Sequence, residues 1–204
     1  TVDELETVLR DATVRVADVQ DFDRLPTPFR ALATDLETGE AVVMGQGDLV
    51  TVLRASMSAP GVLAPVEMNG RLLVDGGLVD NLPVELAQSM GVDRLIVVDV
   101  SFPLARRDGL GSAFDITNQM VGIMVRRGTL ESKQHLQPGD VLIEPDLGPM
   151  TAIDFGRMPQ VMEQGREAAN AQAPALAALS LSAADYERYV AQRARTAEPA
   201  VQVA

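Results

Sequence analysis

The run Arg94-Leu-Ile-Val-Val-Asp-Val100 constrains this chain more than any other feature. Its apolar residues do not alternate with polar ones. That is the pattern of a strand covered on both faces, as in a parallel sheet. Parallel strands need a crossover connection, usually a helix, and the preceding residues supply one. Arg71 to Val74 reads as a short strand, and Asp75-Gly76-Gly77 follows at its C-terminal end. Pro83 to Met90 reads as a helix, with proline tolerated in its first turn and Gly91 closing it. Strand, loop, helix and buried strand together predict a right-handed βαβ unit. The expected fold class is α/β, a mainly parallel sheet with helices on both faces.

The other elements follow from periodicity. Helices are expected over 3–12, over 48–57 with Asp48 as N-cap, over 112–127, over 159–172, and over 183–195 with Ser182 as N-cap. Residues 29–44 read as a hairpin of two strands, 30–35 and 41–44, joined by Leu36-Glu37-Thr38-Gly39. Residues 141–143 read as a further strand, and 21–28, 102–111 and 145–149 as loops. Thr196 to Ala204 carries no fold signal, and Ala173 to Ser182 is a weak hinge before the last helix. The expected organisation is therefore a domain over 1–172 and a C-terminal helical extension and tail over 173–204.

Composition excludes several function classes. The net charge is −12, and phosphate-backbone binding needs clustered cations, so a nucleic-acid partner is not expected. Cysteine is absent and His135 is the only histidine, which removes disulfides, thiolate zinc sites and His-rich metal sites. No apolar run approaches the ~18 residues of a membrane-spanning helix. The first residue is Thr1, and no signal-like segment follows it, so preceding residues are expected to exist.

The sharpest chemical feature is Val74-Asp75-Gly76-Gly77. In open α/β sheets ligands bind beyond the carboxyl ends of strands. A carboxylate there can orient or deprotonate a nucleophile, or it can simply close a tight turn. Gly76 and Gly77 shape the backbone around it. Ser56 and Ser58 end a helix beside Pro60-Gly61 and read as structural, as do Asp35 and Asp99, which end strands. Asn81 precedes the helix at 83–90 and reads as its cap. His135 lies in a polar stretch before Pro138 and reads as a surface residue. The 112–127 helix carries Phe114, Ile116, Met120, Ile123 and Met124, followed by Arg126-Arg127. That face suits core packing, a substrate lid or contact with a bilayer.

Arg54-Ala-Ser-Met-Ser-Ala-Pro-Gly61 and Val74-Asp-Gly-Gly-Leu-Val-Asp-Asn-Leu-Pro-Val84 resemble the later part of bacterial patatin-like phospholipases. Leu25-Pro-Thr-Pro-Phe-Arg30, Ile96-Val-Val-Asp-Val100 and Gly139-Asp-Val-Leu-Ile-Glu-Pro-Asp-Leu147 match in the family's order. The resemblance runs from about residue 3 to residue 172. It implies a lipid acyl hydrolase with a Ser–Asp dyad, in which Asp75 is the base and the serine lies in a Gly-x-Ser-x-Gly elbow. A glycine-rich loop supplies the oxyanion hole. The implied partners are phospholipids or other acyl esters, with peripheral membrane contact, and no metal or cofactor. Family members occur inside bacterial cells and as secreted proteins.

This sequence departs from the family in two respects: it shows no glycine-rich oxyanion loop, and it lacks the serine elbow. It has no Gly-x-Ser-x-Gly; Gly109-Leu-Gly-Ser112 has the wrong spacing. The fold is therefore expected to lack its N-terminal elements here, with the nucleophile in a missing segment of the same domain, and the chain alone is expected to be inactive. The alternative is a non-catalytic lipid-binding or regulatory relative that lacks the nucleophile. A generic α/β binding domain, with Asp75 only closing a turn, is a third reading.

Overall fold

A computed structural model describes residues 2–148, 150 and 155–197. They form two compact units, one running through Val79 and including the residues from Leu181 onward, the other spanning Asp80–Ser180.

The first unit is built on a four-stranded antiparallel sheet. Its strands are β1 (Ala31–Asp35), β2 (Ala41–Met44), β3 (Val66–Met68) and β4 (Arg71–Asp75), in the order β2-β1-β4-β3. β1 is flanked on both sides, and all five of its residues are buried. Helix α1 (Val2–Thr13) precedes the sheet, and α2 (Leu49–Ser56) packs on it. Phe22, Ala31, Ala33, Met44, Val52, Ala55 and Leu73 make the core. Asp48 caps α2 as expected, its carboxylate accepting from the Thr51 amide. The expected hairpin is β1–β2, with Gly39 at positive φ. β3 is an element that the periodicity missed. It turns into β4 through Asn69 (φ 52°) and Gly70 (φ 72°), the left-handed pair that two-residue hairpins require. Helix α8 (Ala183–Ala197) also belongs to this unit, and Ser182 accepts from the Asp185 amide at its start.

The second unit contains α4 (Val84–Ser89), β5 (Ile96–Val98), α5 (Ala113–Lys133), β6 (Val141–Ile143), α6 (Met158–Ala171) and α7 (Ala173–Ala177). The short helix α3 (Gly77–Asp80) straddles the boundary between the units. β5 and β6 pair in parallel, with Ile96 opposite Val141 and Val98 opposite Ile143. Leu82, Val84 and Leu95 form this unit's core, and Ala87, Val97 and Leu136 pack against it.

The α/β class holds, but parallel pairing is confined to β5 and β6, and the larger sheet is antiparallel. The parallel crossover is β5–α5–β6, not a unit joining β4 to β5. β5 is also more open than its apolar run predicts. With one neighbouring strand among the described residues, Ile96 and Val98 face outward on the pleat, while Leu95 is buried and Val97 half-buried.

Helix α5 runs six residues past 127, because its interior Gly128 does not stop it. A reciprocal capping box opens it: Ser112 Oγ accepts from the Asp115 amide, and the Asp115 carboxylate accepts from the Ser112 amide. The core-packing reading of its apolar face is not what the structure shows. Phe114, Ile116, Met120, Ile123 and Met124 are exposed, and Thr129 is the buried residue of the helix. Asn81 does not cap α4. Pro83 holds that position with no side-chain cap, and the Asn81 amide reaches the hydroxyls of Ser101 (3.2 Å) and Thr129 (3.5 Å).

The parallel pair is closed by one cation. Lys133, at the end of α5, lies 2.5 Å from buried Asp99 beyond β5 and 2.6 Å from Glu144 beyond β6. Burial alone would raise the Asp99 carboxyl. The bonds from Lys133 and Ser101 outweigh it and hold Asp99 below its ordinary value. Lys133→Ala strands that carboxylate, and chemical denaturation should show a loss of about 2–3 kcal/mol at neutral pH. Because the Asp99 pKa is depressed, the wild-type advantage should shrink as pH falls through it.

Candidate active site

Asp75 is the last residue of β4, paired with Ala33 of β1. Three hydrogen bonds tie down the backbone around it. Its amide donates to the Ser58 carbonyl (3.1 Å), and the Gly76 amide donates to the Ser56 carbonyl (3.4 Å). The Thr34 hydroxyl donates to the Asp75 carbonyl at 2.8 Å. The end of β4 is thus fixed by β1 on one side and by the C-terminal end of α2 on the other.

The carboxylate itself is half-buried. Oδ1 accepts from the Gly77 amide at 2.8 Å. Among the described residues, no donor reaches Oδ2 and no cation pairs with the group. Burial raises its pKa above the ordinary 3.8, and the single amide bond from Gly77 opposes the rise only in part. A carboxylate with one oxygen anchored, the other free, and a raised proton affinity is equipped to accept a proton.

The two glycines have separate reasons. A Cβ on Gly76 would overlap the Leu32 carbonyl group and stand 2.9 Å from the Leu32 Cβ, so no side chain fits where the strand bends past β1. Gly77 supplies the amide that anchors Asp75 and opens α3.

Ser58 is structural, as expected, while Ser56 contributes its backbone carbonyl to the Gly76 amide. Ser58 is fully buried; its hydroxyl donates to the Arg54 carbonyl and accepts from Arg54 Nη1 at 2.6 Å. Arg54 also donates to the Ala64 carbonyl. Its guanidinium is buried, and Nε has no partner. This arginine was missed by the reading of the sequence. Its signal was the four-residue spacing to Ser58, one helical turn. His135 pairs with Glu85 (2.8 Å) and is exposed, as expected of a surface residue. Asp35 bonds the Glu37 amide and Asp99 the Ser101 amide, both in turn-closing roles. A concavity lined by Gln20, Gln46, Asp48, Thr51, Met68 and Asn69 lies elsewhere in the first unit and does not include Asp75. Among the described residues, no group of three or more His, Cys, Asp or Glu is placed to hold a metal ion.

Part of the chain is similar in sequence to known proteins. Residues 2–87, the segment that carries Asp75, match the family model of the patatin-like phospholipases. The chain is 42% identical over 80 residues to an uncharacterized NTE family protein of Mycobacterium tuberculosis strain H37Rv, a stretch that is 39% of this chain and 22% of that protein. It is 33% identical over 135 residues to the lysophospholipase NTE1 of Saccharomyces cerevisiae, covering 55% of this chain and 8% of the yeast protein. A second mycobacterial NTE family protein, from M. tuberculosis strain CDC 1551, is 28% identical over 172 residues, 74% of this chain and 29% of its own length. The chain therefore spans less than a third of each of these relatives.

Two measurements test the local geometry. Gly76→Ala should lower stability by about 1–3 kcal/mol in chemical denaturation, because backbone must move to admit the methyl group. Asp75→Asn should have the opposite sign at neutral pH. Burial raises the Asp75 pKa, so the native state gains from the neutral form below 3.8 and loses that gain as pH rises through the folded value. Asparagine stays neutral and can still accept from Gly77. Its melting temperature should exceed the wild type's at pH 7, and the difference should shrink as pH falls through the folded value and vanish below 3.8.

Proposed function

We propose that these residues form part of a lipid acyl hydrolase of the lysophospholipase type, in which Asp75 is the base of a Ser–Asp dyad. The observation that carries this reading is the Asp75 carboxylate, half-buried, anchored through one oxygen and open at the other. The family match and the lysophospholipase name of the yeast relative support an acyl ester of a lipid as substrate. The 204 residues contain no Gly-x-Ser-x-Gly, so the nucleophile is assigned to residues outside them.

The chemistry follows from what Asp75 offers. The serine hydroxyl attacks the ester carbonyl carbon as its proton passes to Oδ2 of Asp75. The tetrahedral adduct collapses to an acyl-enzyme, and the proton leaves with the alcohol. Water then attacks the acyl-enzyme, giving its proton to the same oxygen, and the fatty acid departs as the serine regains its hydrogen. The Gly77 amide holds the carboxylate in one orientation throughout. Gly76 keeps the strand end close to β1, which fixes where Oδ2 lies.

Fluorophosphonate labelling of the full gene product, with Asp75→Asn as control, tests this. The expected result is labelling of the full product that falls by about 10²-fold or more in the variant, with no labelling of the 204-residue chain alone. Folded full product that never labels would support the non-catalytic lipid-binding alternative. Labelling of the short chain would place the nucleophile among its own serines.

A further inference from the structure

Arg54 is the buried cation of the first unit, with 4% of its surface exposed. A guanidinium is costly to bury, and an apolar side chain of similar size is often the more stable choice. Buried charges are ordinarily paired. Among the described residues no carboxylate pairs with Arg54, and its Nε has no partner. It lies in the last turn of α2, where the helix end lends it only the partial negative charge of the final carbonyls. What the planar fork supplies is two directed bonds. Nη1 donates to the Ser58 hydroxyl at 2.6 Å and Nη2 to the Ala64 carbonyl at 3.1 Å.

Those two bonds end on the segments that hold β4. The Ser58 hydroxyl also donates to the Arg54 carbonyl at 2.7 Å, and the Ser58 amide donates to the Ala55 carbonyl at 3.2 Å. The Ser58 carbonyl receives the Asp75 amide at 3.1 Å. Every polar group of Ser58 is therefore engaged, which leaves that carbonyl one position. Ala64 lies two residues before β3, whose Val66 pairs with Leu73 of β4. The fork thus joins the residue that receives the Asp75 amide to the segment that enters the neighbouring strand. A lysine would bring a point charge to one of the two sites and could not span both.

We propose that Arg54 is a positioning residue, which through Ser58 and Ala64 fixes the end of β4 and with it the place of the Asp75 carboxylate. It acts through the backbone, since among the described residues no bond joins it to that carboxylate. The consequence for reaction rate rests on the lipid-hydrolase reading above; the tether does not. A loosened strand end has two effects. It moves the base away from where a nucleophile must meet it, and misplacement by about 1 Å can cost 10²-fold in rate. It also admits water to a carboxylate whose proton affinity burial has raised, so that its pKa falls back toward the ordinary value.

Three variants of the full gene product test this, with turnover of p-nitrophenyl butyrate followed against pH. Arg54→Lys keeps the charge and loses the fork. Ser58→Ala keeps the arginine, loses the link, and carries the test where Arg54→Lys does not fold. Phe22→Leu truncates the core and touches none of these bonds. In the first two, kcat should fall at least about tenfold, with KM changed less than about twofold. Activity requires Asp75 unprotonated, so the acid limb of kcat/KM should move to lower pH in both. Phe22→Leu should lower the melting temperature and leave kcat and the limb in place. A second readout needs no turnover: in a Ser58→Ala background, the melting-temperature gain from Asp75→Asn at pH 7 should shrink. That coupling in a wild type with no turnover would keep the tether and remove the hydrolase reading. Turnover that depends on Asp75, with kcat and the acid limb unmoved in Arg54→Lys and Ser58→Ala, would overturn the proposal. So would an equal shift of the limb in Phe22→Leu, which would make Arg54 no more than a part of the core.

Discussion

The first unit depends on a short exchange of backbone hydrogen bonds. The carbonyls of Ser56 and Ser58, at the end of α2, receive the amides of Gly76 and Asp75 at the end of β4. Helix ends leave carbonyls without partners, and strand ends leave amides in the same state. Here each deficit satisfies the other. The cost is a buried polar seam, which Arg54 closes by bonding Ser58 and Ala64. The bend after Asp75, the contact of Gly76 with Leu32 and the anchoring of the carboxylate on Gly77 all follow from that seam.

Much of this was legible in the residues. The β1–β2 hairpin, the Asp48 and Ser182 caps, the strand leading to Asp75 and the turn-closing roles of Asp35 and Asp99 each rest on local chemistry. Periodicity and capping read such chemistry well. The Asn69-Gly70 hairpin was equally local and was passed over, because β3 is only three residues long and shows no alternation of its own.

What the residues did not disclose was which strands distant in sequence pair. An unbroken apolar run announces burial on two faces, and β5 has a single neighbour among the described residues. Pairing is decided by segments distant in sequence, and a strand's composition does not name its partner. The same limit explains α5. Its period is plain, but a helical period says that two faces differ, not which one turns inward. Val121, Val125 and Thr129 took the inner face, and the larger apolar side chains were left outside. Asn81 fails for a related reason: a cap is a local expectation, and two hydroxyls from other elements offered competing partners.

The clamp at the end of the parallel pair has a practical consequence. Lys133 is the only lysine of these 204 residues, and both of its carboxylate partners sit at strand ends. Within this stretch an amine-directed reagent finds one side-chain target, and that amine is held by two anions while the crossover is intact. Its rate of modification would therefore act as a clock for local opening of the β5–α5–β6 crossover, reporting one event without any engineered label.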